Sequence, residues 1–164
     1  MRLVKLVLIS LVFLSLLVTA ISALFPSTVI VSRAIELNTT ADKISFYTSD
    51  LHNWSAWMSD WKENKITIQN NKAFVGTQTI ELLDKNDSSV RYNWVATGQK
   101  PYLVQFEWIR LKDDAYVIHW TFEQHVSWYP WEKFQTLLNE KVLGTKMELE
   151  LNNLSNTILA ESIK

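Results

Sequence analysis

The sequence contains no cysteine, which excludes disulfide bonds, a thiol nucleophile, a zinc ribbon and an acylated lipoprotein cysteine. There is no excess of basic charge either. The formal net charge is −1, and this argues against a nucleic-acid partner. Only three glycines and three prolines occur in 164 residues, so we expect mostly regular secondary structure.

What the sequence does contain is the composition of one globular domain with an appendage. Apolar residues make up 48% of the chain and charged residues 20%, a balance typical of folded chains. Eight tryptophans are many for this length, and their positions have to be explained.

The N-terminal segment is an uncharged apolar run over residues 6–25, followed by Pro26. As a helix it would be roughly 30 Å long, enough to cross the core of a bilayer. Two interpretations remain open. The segment is either an uncleaved membrane anchor or a secretory signal peptide cleaved after Ala20 or Ala23. The length of the run favours the anchor.

The charges that flank this run predict its orientation. Arg2 and Lys5 precede it, and positive charge is retained on the cytoplasmic side of a membrane. We therefore expect a single-pass protein with its C-terminal part on the extracytoplasmic side. The predicted units are an anchor or signal peptide over residues 1–26 and a folded domain over residues 27–164.

The first part of the domain combines a strand with short helices. Residues 28–37 alternate, with Arg33 on the same face as four apolar side chains: Val29, Val31, Ile35 and Leu37. This alternation predicts a strand. Residues 41–50 then have helical spacing. Trp54, Trp57 and Trp61 follow at intervals of three and four, which places their rings on one face of a short helix.

From residue 65 the apolar period changes to two. Turn residues at 85–88, 97–101 and 112–114 separate the alternating segments. This pattern predicts an antiparallel meander of consecutive strands. Together with the first strand we count six: 28–37, 65–69, 74–82, 90–94, 102–108 and 116–122.

The spacing of apolar residues in the last part of the chain predicts one amphipathic helix of about 30 residues that begins at Pro130. Its apolar stripe is continuous except at Gly144, where the helix can bend or lie close to the sheet. The stripe contains Phe134, Leu138, Val142, Met147, Leu151, Leu154 and Ile158.

One face of the predicted meander carries large aromatic side chains, and the C-terminal helix is the only long element that can cover it. A gap between sheet and helix is a natural apolar cavity, and the polar tips of Trp and Tyr can orient a guest there. The alternative is that the aromatic rings fill the core. The face contains Tyr92, Trp94, Tyr102, Phe106, Trp108, Tyr116, Trp120 and Phe122.

The polar residues indicate little catalytic chemistry. His52, His119 and His125 are the three histidines, and none has the spacing of a metal site. No nucleophile elbow, phosphate loop or dinucleotide motif is present. We therefore expect no metal, no cofactor and no catalytic residue. Arg33 stands on an apolar face and needs either an acidic partner or the carboxylate or phosphate of a ligand.

An aromatic segment, SWYPW, precedes the C-terminal helix at residues 127–131. Three interpretations are open: it flanks the entrance of the cavity, it dips into a membrane interface, where Trp and Tyr are favoured, or it simply packs.

The order of these elements resembles the START-like superfamily, also called Bet v 1-like or SRPBCC, and in particular its bacterial proteins of the polyketide cyclase/dehydrase type. The residues that carry the resemblance are VIVSRAIEL at 29–37, DLHNWSAW at 50–57 and LGTKM at 143–147. Many relatives also begin with a hydrophobic anchor. The resemblance covers residues 28–164. The chain departs from the family in having six predicted strands instead of seven, with a short stretch between Trp61 and Phe74.

The resemblance implies an α+β helix-grip fold, in which a curved antiparallel sheet wraps a long C-terminal helix and encloses a cavity for apolar molecules. The predicted function is a monomeric, membrane-tethered module that binds a lipid-like or polyketide-like small molecule. A cyclase/dehydrase-type enzyme with Arg33, Gln78 or His125 in the cavity is one alternative. A ligand-free envelope interaction protein is another. The predicted cavity lining is Arg33, Trp57, Trp94, Phe106, Trp108, Tyr116, Trp120 and Phe122.

Overall fold

The structure is a computed structural model that describes residues 2–113 and 115–162. It describes the side chains of all these residues except 134–139 and 162. A long helix, α1, precedes an α+β domain that ends in a second long helix, α4. The elements are α1 (Arg2–Ala23), β1 (Thr28–Asn38), α2 (Ala41–Ser49), a 3₁₀ helix (Leu51–Ala56), α3 (Ser59–Glu63), β2 (Ile66–Gln69), β3 (Lys72–Val75), β4 (Gln78–Lys85), β5 (Ser89–Ala96), β6 (Tyr102–Lys112), β7 (Ala115–His125) and α4 (Pro130–Ser162).

The strands form one antiparallel sheet of seven, in the order β1-β7-β6-β5-β4-β3-β2. Strands β2 to β7 are the consecutive hairpins that the period-two pattern predicts. β1 joins the free edge of β7, and α4 packs across β1 and α2. This arrangement confirms the predicted helix-grip fold.

The strand count of six is corrected to seven. The segment predicted as one strand over residues 74–82 is two strands, β3 and β4, joined by a tight turn at Gly76 and Thr77. Gly76 has a φ of +58°, which glycine adopts without steric cost. Because of this turn, Ile80 lies opposite Ala73, and Phe74 does not share a face with Ile80 as it would in a single strand over residues 74–82. Phe74 is exposed.

The stripe on α4 is confirmed in its C-terminal half, where the buried side chains are Met147, Leu151, Leu154 and Ile158. Val142 is 73% exposed and does not belong to the stripe. Phe134 and Leu138, which were also predicted for the stripe, have side chains outside those that the structure describes. The buried stripe holds α4 against the sheet, since each such side chain contributes about 1.5–3 kcal/mol when removed from water.

Helix α1 is uncharged after Lys5 and is long and apolar enough to cross a membrane. Its C-terminal end is joined to the domain through Lys133 at the start of α4. The ammonium group of Lys133 donates hydrogen bonds to the carbonyl oxygens of Ser22, at 3.2 Å, and Phe25, at 2.7 Å. Lys133 is buried. A cation at this place offsets the negative end of the helix dipole.

Candidate functional site

Aromatic rings fill the interior between the sheet and the helices. Trp54 and Trp57 are fully buried, and Trp54 contacts the rings of Tyr92 and Phe106 at centroid distances of 5.0 and 5.8 Å. Phe106 in turn stacks on Trp120 at 4.9 Å. Such edge-to-face and stacked pairs add about 0.5–1.5 kcal/mol each to the burial of their area.

Hydrogen bonds fix the orientation of these rings. The indole N–H groups of Trp54, Trp57 and Trp61 each donate to a backbone carbonyl oxygen at 3.1 Å. The hydroxyl of Tyr92 donates to the carbonyl of Thr48 at 2.7 Å, and burial raises the pKa of Tyr92 far above its ordinary value. The centre of the domain is therefore packed rather than hollow.

An apolar cleft of about 230 Å³ remains beside this packed centre. Its floor is the sheet and its wall is the middle of α4. The lining residues are Gln78, Trp94, Ala96, Gln99, Tyr102, Phe122, Val142, Leu143 and Lys146.

The cleft lies at one end of the sheet, which the strand register identifies. Gln78 at the start of β4 pairs with Ala96 at the end of β5, and Tyr102 at the start of β6 pairs with Trp94 and with Gln124 near the end of β7. β1 begins at this same end, where Thr28 pairs with His125. Thr28 is five residues beyond the end of α1. The cleft and the exit of α1 therefore share one end of the domain.

Polar groups stand at the edge of the cleft. The indole N–H of Trp94 donates to Oε1 of Gln78 at 2.7 Å, so the amide of Gln78 is already engaged. Lys146 forms an ion pair with Asp60 of α3. An apolar floor with a few polar groups at the rim suits an apolar or amphipathic guest.

The structure distributes the predicted lining residues over four places. Trp94 and Phe122 line the cleft. Trp57, Phe106 and Trp120 belong to the packed centre. Trp108, near the end of β6, donates its indole N–H to the carbonyl of Asp87, and Tyr116, near the start of β7, lies with it at the opposite end of the sheet.

Arg33, the remaining predicted residue, is on β1 beside α4. Its Nε donates to Oε1 of Glu148 at 2.6 Å, and its Nη1 donates to the carbonyl of Ser32 at 2.8 Å. The acidic partner that an arginine on an apolar face requires is thus supplied by the protein itself.

Sequence reasoning missed the α4 wall of the cleft, formed by Val142, Leu143 and Lys146. It also missed Ala96 at the end of β5 and Gln99 in the β5–β6 turn. Helical period placed Val142 on the apolar stripe, but it did not indicate a cleft, because it predicts which side chains face the sheet and not where the helix stands clear of it.

The polar candidates for catalysis do not converge. Gln78 lines the cleft, Arg33 pairs with Glu148, and Nδ1 of His125 lies 3.0 Å from the hydroxyl of Thr28. Among the residues that the structure describes, no group of three His, Cys, Asp or Glu side chains could hold a metal ion. The indole N–H of Trp120 is buried without a hydrogen-bond partner among the described residues.

No protein-family model matches the chain, and no curated protein matches it. Solved structures do match. CalU16 from Micromonospora echinospora superposes with a TM-score of 0.57 and 13% identity, over 84% of this chain and 90% of that one. A protein from Thermobifida fusca gives 0.60 and 14%, over 77% and 90%. DynU16, encoded in the dynemicin biosynthetic locus, gives 0.55 and 11%, over 77% and 46%.

These likenesses, at identities of 11–14%, establish the fold that this chain shares with its structural neighbours. The resemblance to START-like proteins is thereby confirmed at the level of the fold.

Proposed function

We propose that this protein is a membrane-tethered module that binds an apolar or amphipathic small molecule in the cleft between the sheet and α4. One observation carries the proposal: the apolar cleft lies at the end of the sheet where α1 joins the domain. With α1 across a bilayer and the domain on its extracytoplasmic side, this end faces the source of membrane-derived ligands.

The size of the cleft limits what it can hold. Pockets for drug-sized molecules measure about 300–1,000 Å³, and this cleft is about 230 Å³. It suits a ring or one acyl chain end rather than a whole lipid. The polar end of such a molecule would lie near Gln99 and Lys146 at the rim, where an anionic group competes with Asp60 for the ammonium group.

The structural neighbours support a small-molecule ligand in general terms. The fold is shared with a protein of the dynemicin biosynthetic locus, which associates the fold with small-molecule metabolism. A cyclase/dehydrase-type enzyme draws less support from the geometry, because it needs two polar groups in the cavity within hydrogen-bond reach of a substrate. Of the three named candidates, only Gln78 lines the cleft.

A protein-interaction module is the second candidate. The observation in its favour is the packed aromatic centre, where a larger cavity would otherwise lie. The two candidates differ in what happens at the cleft, since an interaction module has no need to bind a small molecule there.

The test is native mass spectrometry of the full chain released from lipid nanodiscs, before and after organic extraction. We expect an extractable adduct in the wild type that is lost in Leu143→Trp, because the larger side chain occupies the cleft. Leu149→Trp is the matched control, since Leu149 is on the same helix and 56% exposed. Wild-type protein that carries no adduct and ignores added fatty acids would overturn the binding proposal in favour of the interaction module.

A further inference from the structure

Two tryptophans differ from all the others in their exposure. Trp128, in the loop between β7 and α4, and Trp131, the second residue of α4, are each 64% exposed, and Tyr129 between them is 37% exposed. Tyr129 stacks on Trp131 with a centroid distance of 4.8 Å and contacts Trp128 at 4.6 Å. The other six tryptophans are buried: Trp54, Trp57, Trp61, Trp94, Trp108 and Trp120.

This aromatic patch (Trp128, Tyr129 and Trp131) lies beside α1. A crevice of about 420 Å³ separates the two. Its α1 side is lined by Leu11, Leu14, Ser15, Val18 and Thr19, and its other side by the patch together with Pro130. The hydroxyl of Ser22 also donates to the carbonyl of Trp128, at 3.4 Å.

The position of the crevice along α1 sets its depth in a bilayer. Val18 and Leu11 are five and twelve residues before Ala23, the last residue of α1. At about 1.5 Å per residue these positions are roughly 8 and 18 Å from the helix end. The hydrocarbon core is about 30 Å thick, so a spanning α1 places this stretch inside the apolar layer.

Hydrogen bonds and an ion pair fix the position of the patch beside α1. Buried Lys133, two residues after Trp131, bonds the carbonyls at the end of α1. Behind the patch, Glu132 pairs with Lys100 at 2.6 Å and accepts the backbone N–H of Ser127 at 2.8 Å. The lysine and this N–H lower the pKa of Glu132. The aromatic rings face α1, and the ion pair lies behind them, so the apolar side of this segment is directed toward the membrane-spanning helix and its polar side toward the domain.

We propose that Trp128, Tyr129 and Trp131 insert into the leaflet of the bilayer that is nearer to the domain, and that lipid chains fill the crevice. The domain then has two attachments to the bilayer instead of a single flexible tether. Lys100 belongs to the same β5–β6 connection as the cleft residue Gln99, so the second attachment also holds the rim of the cleft close to the membrane. The inference rests on the membrane tether of the proposed function and is independent of any ligand.

Quenching of tryptophan fluorescence by brominated lipid tests the inference. The full chain is reconstituted in phosphatidylcholine vesicles with plain or mid-chain brominated acyl groups. We expect brominated lipid to quench the tryptophan fluorescence of the wild type. Most of this quenching should be absent in the double variant Trp128→Phe/Trp131→Phe. Trp108→Phe is the control, because Trp108 is buried at the far end of the sheet and its loss leaves the lipid-dependent quenching in place.

The outcomes separate the inference from the proposal on which it rests. One outcome is that the protein floats with the vesicles, that aqueous acrylamide quenches Trp128 and Trp131, and that brominated lipid does not. This outcome overturns the inference and leaves the tether intact. Full chain that does not float with the vesicles overturns both.

Discussion

The guanidinium group of Arg33 lies directly against the backbone of Gly144, one turn before its ion-pair partner Glu148 on α4. A Cβ added at Gly144 would come within 2.8 Å of Cζ of Arg33 and overlap Nη2. Glycine in the middle of this helix therefore leaves room for a side chain of β1 that passes over it.

This relationship predicts an energetic coupling between the two positions. Alanine improves helix propensity over glycine by about 1 kcal/mol, so Gly144→Ala stabilises the protein in an Arg33→Ala background. In the wild-type background the gain is cancelled, because the arginine must leave its position and lose a half-exposed ion pair worth about 0–1 kcal/mol. A double-mutant cycle on the full chain, with unfolding by urea in detergent, measures the coupling. Equal effects of Gly144→Ala in both backgrounds would refute it.

Glu150 is a second residue on α4 whose role is visible only in three dimensions. Its carboxylate is fully buried and accepts the backbone N–H of Ser59, the first residue of α3, at 3.1 and 3.0 Å. Glu150→Ala leaves that N–H without its charged acceptor, and we expect a loss of about 1.5–3 kcal/mol in the free energy of unfolding. Glu150→Gln keeps one oxygen acceptor and should lose less. Glu140→Ala, an exposed change on the same helix, should lie within about 0.5 kcal/mol of the wild type.

The packed centre predicts a large cost for opening a cavity there. Trp57 is fully buried, contacts the rings of Trp54, Phe106 and Trp120, and donates to the carbonyl of Tyr47. Trp57→Ala should reduce the free energy of unfolding by about 3–5 kcal/mol. The exposed Trp131→Ala is the matched control and should change domain unfolding little. If both variants unfold alike, the interior is not packed as described.

The lowered pKa of Asp50 leads us to expect a small loss of stability in acid. The backbone N–H of His52 donates to Oδ1 of Asp50 at 2.9 Å and holds the pKa of that carboxyl below its ordinary value. A carboxyl whose pKa is lower in the folded state contributes stability that is complete above the unfolded pKa, about 3.9, and is lost as the pH falls through the folded value. Asp50→Asn still accepts the bond and does not titrate, so the advantage of wild type over the variant should shrink below about pH 4. Unfolding measured from pH 3 to pH 7 checks this, and a difference independent of pH would contradict it. Asp84 and Glu132, whose pKa values are also lowered, are common to both proteins and cancel.

Much of the fold could be predicted from local pattern, because local pattern reflects which side chains can be buried. Period-two alternation located β5, β6 and β7, and helical spacing located the buried half of α4. The β3–β4 turn was missed because its signal is one glycine, Gly76, between Val75 and Thr77, two β-branched residues that fit a continuous strand equally well.

The site depended on tertiary structure to a greater degree. Alternation places Trp94, Phe106, Trp120 and Phe122 on one face, but it does not say which of them meet another ring and which border open space. The three tryptophans around the 3₁₀ helix decide that, because Trp54 and Trp57 contact Phe106 across a long separation in sequence. These tryptophans do not fill the end of the sheet where β4 begins and β7 ends, and the cleft is the space that remains there.

The sequence alone determined that the chain is an apolar N-terminal helix followed by an antiparallel meander and a long helix, since each of these follows from periodicity and composition. Only the tertiary structure decided that Arg33 meets Glu148, that the aromatic face is filled, and that the cleft and Trp128 lie at the end where α1 joins the domain. These facts depend on register and on contacts between distant segments. A period of two or of 3.6 residues identifies the buried face of an element and carries no information about its partner.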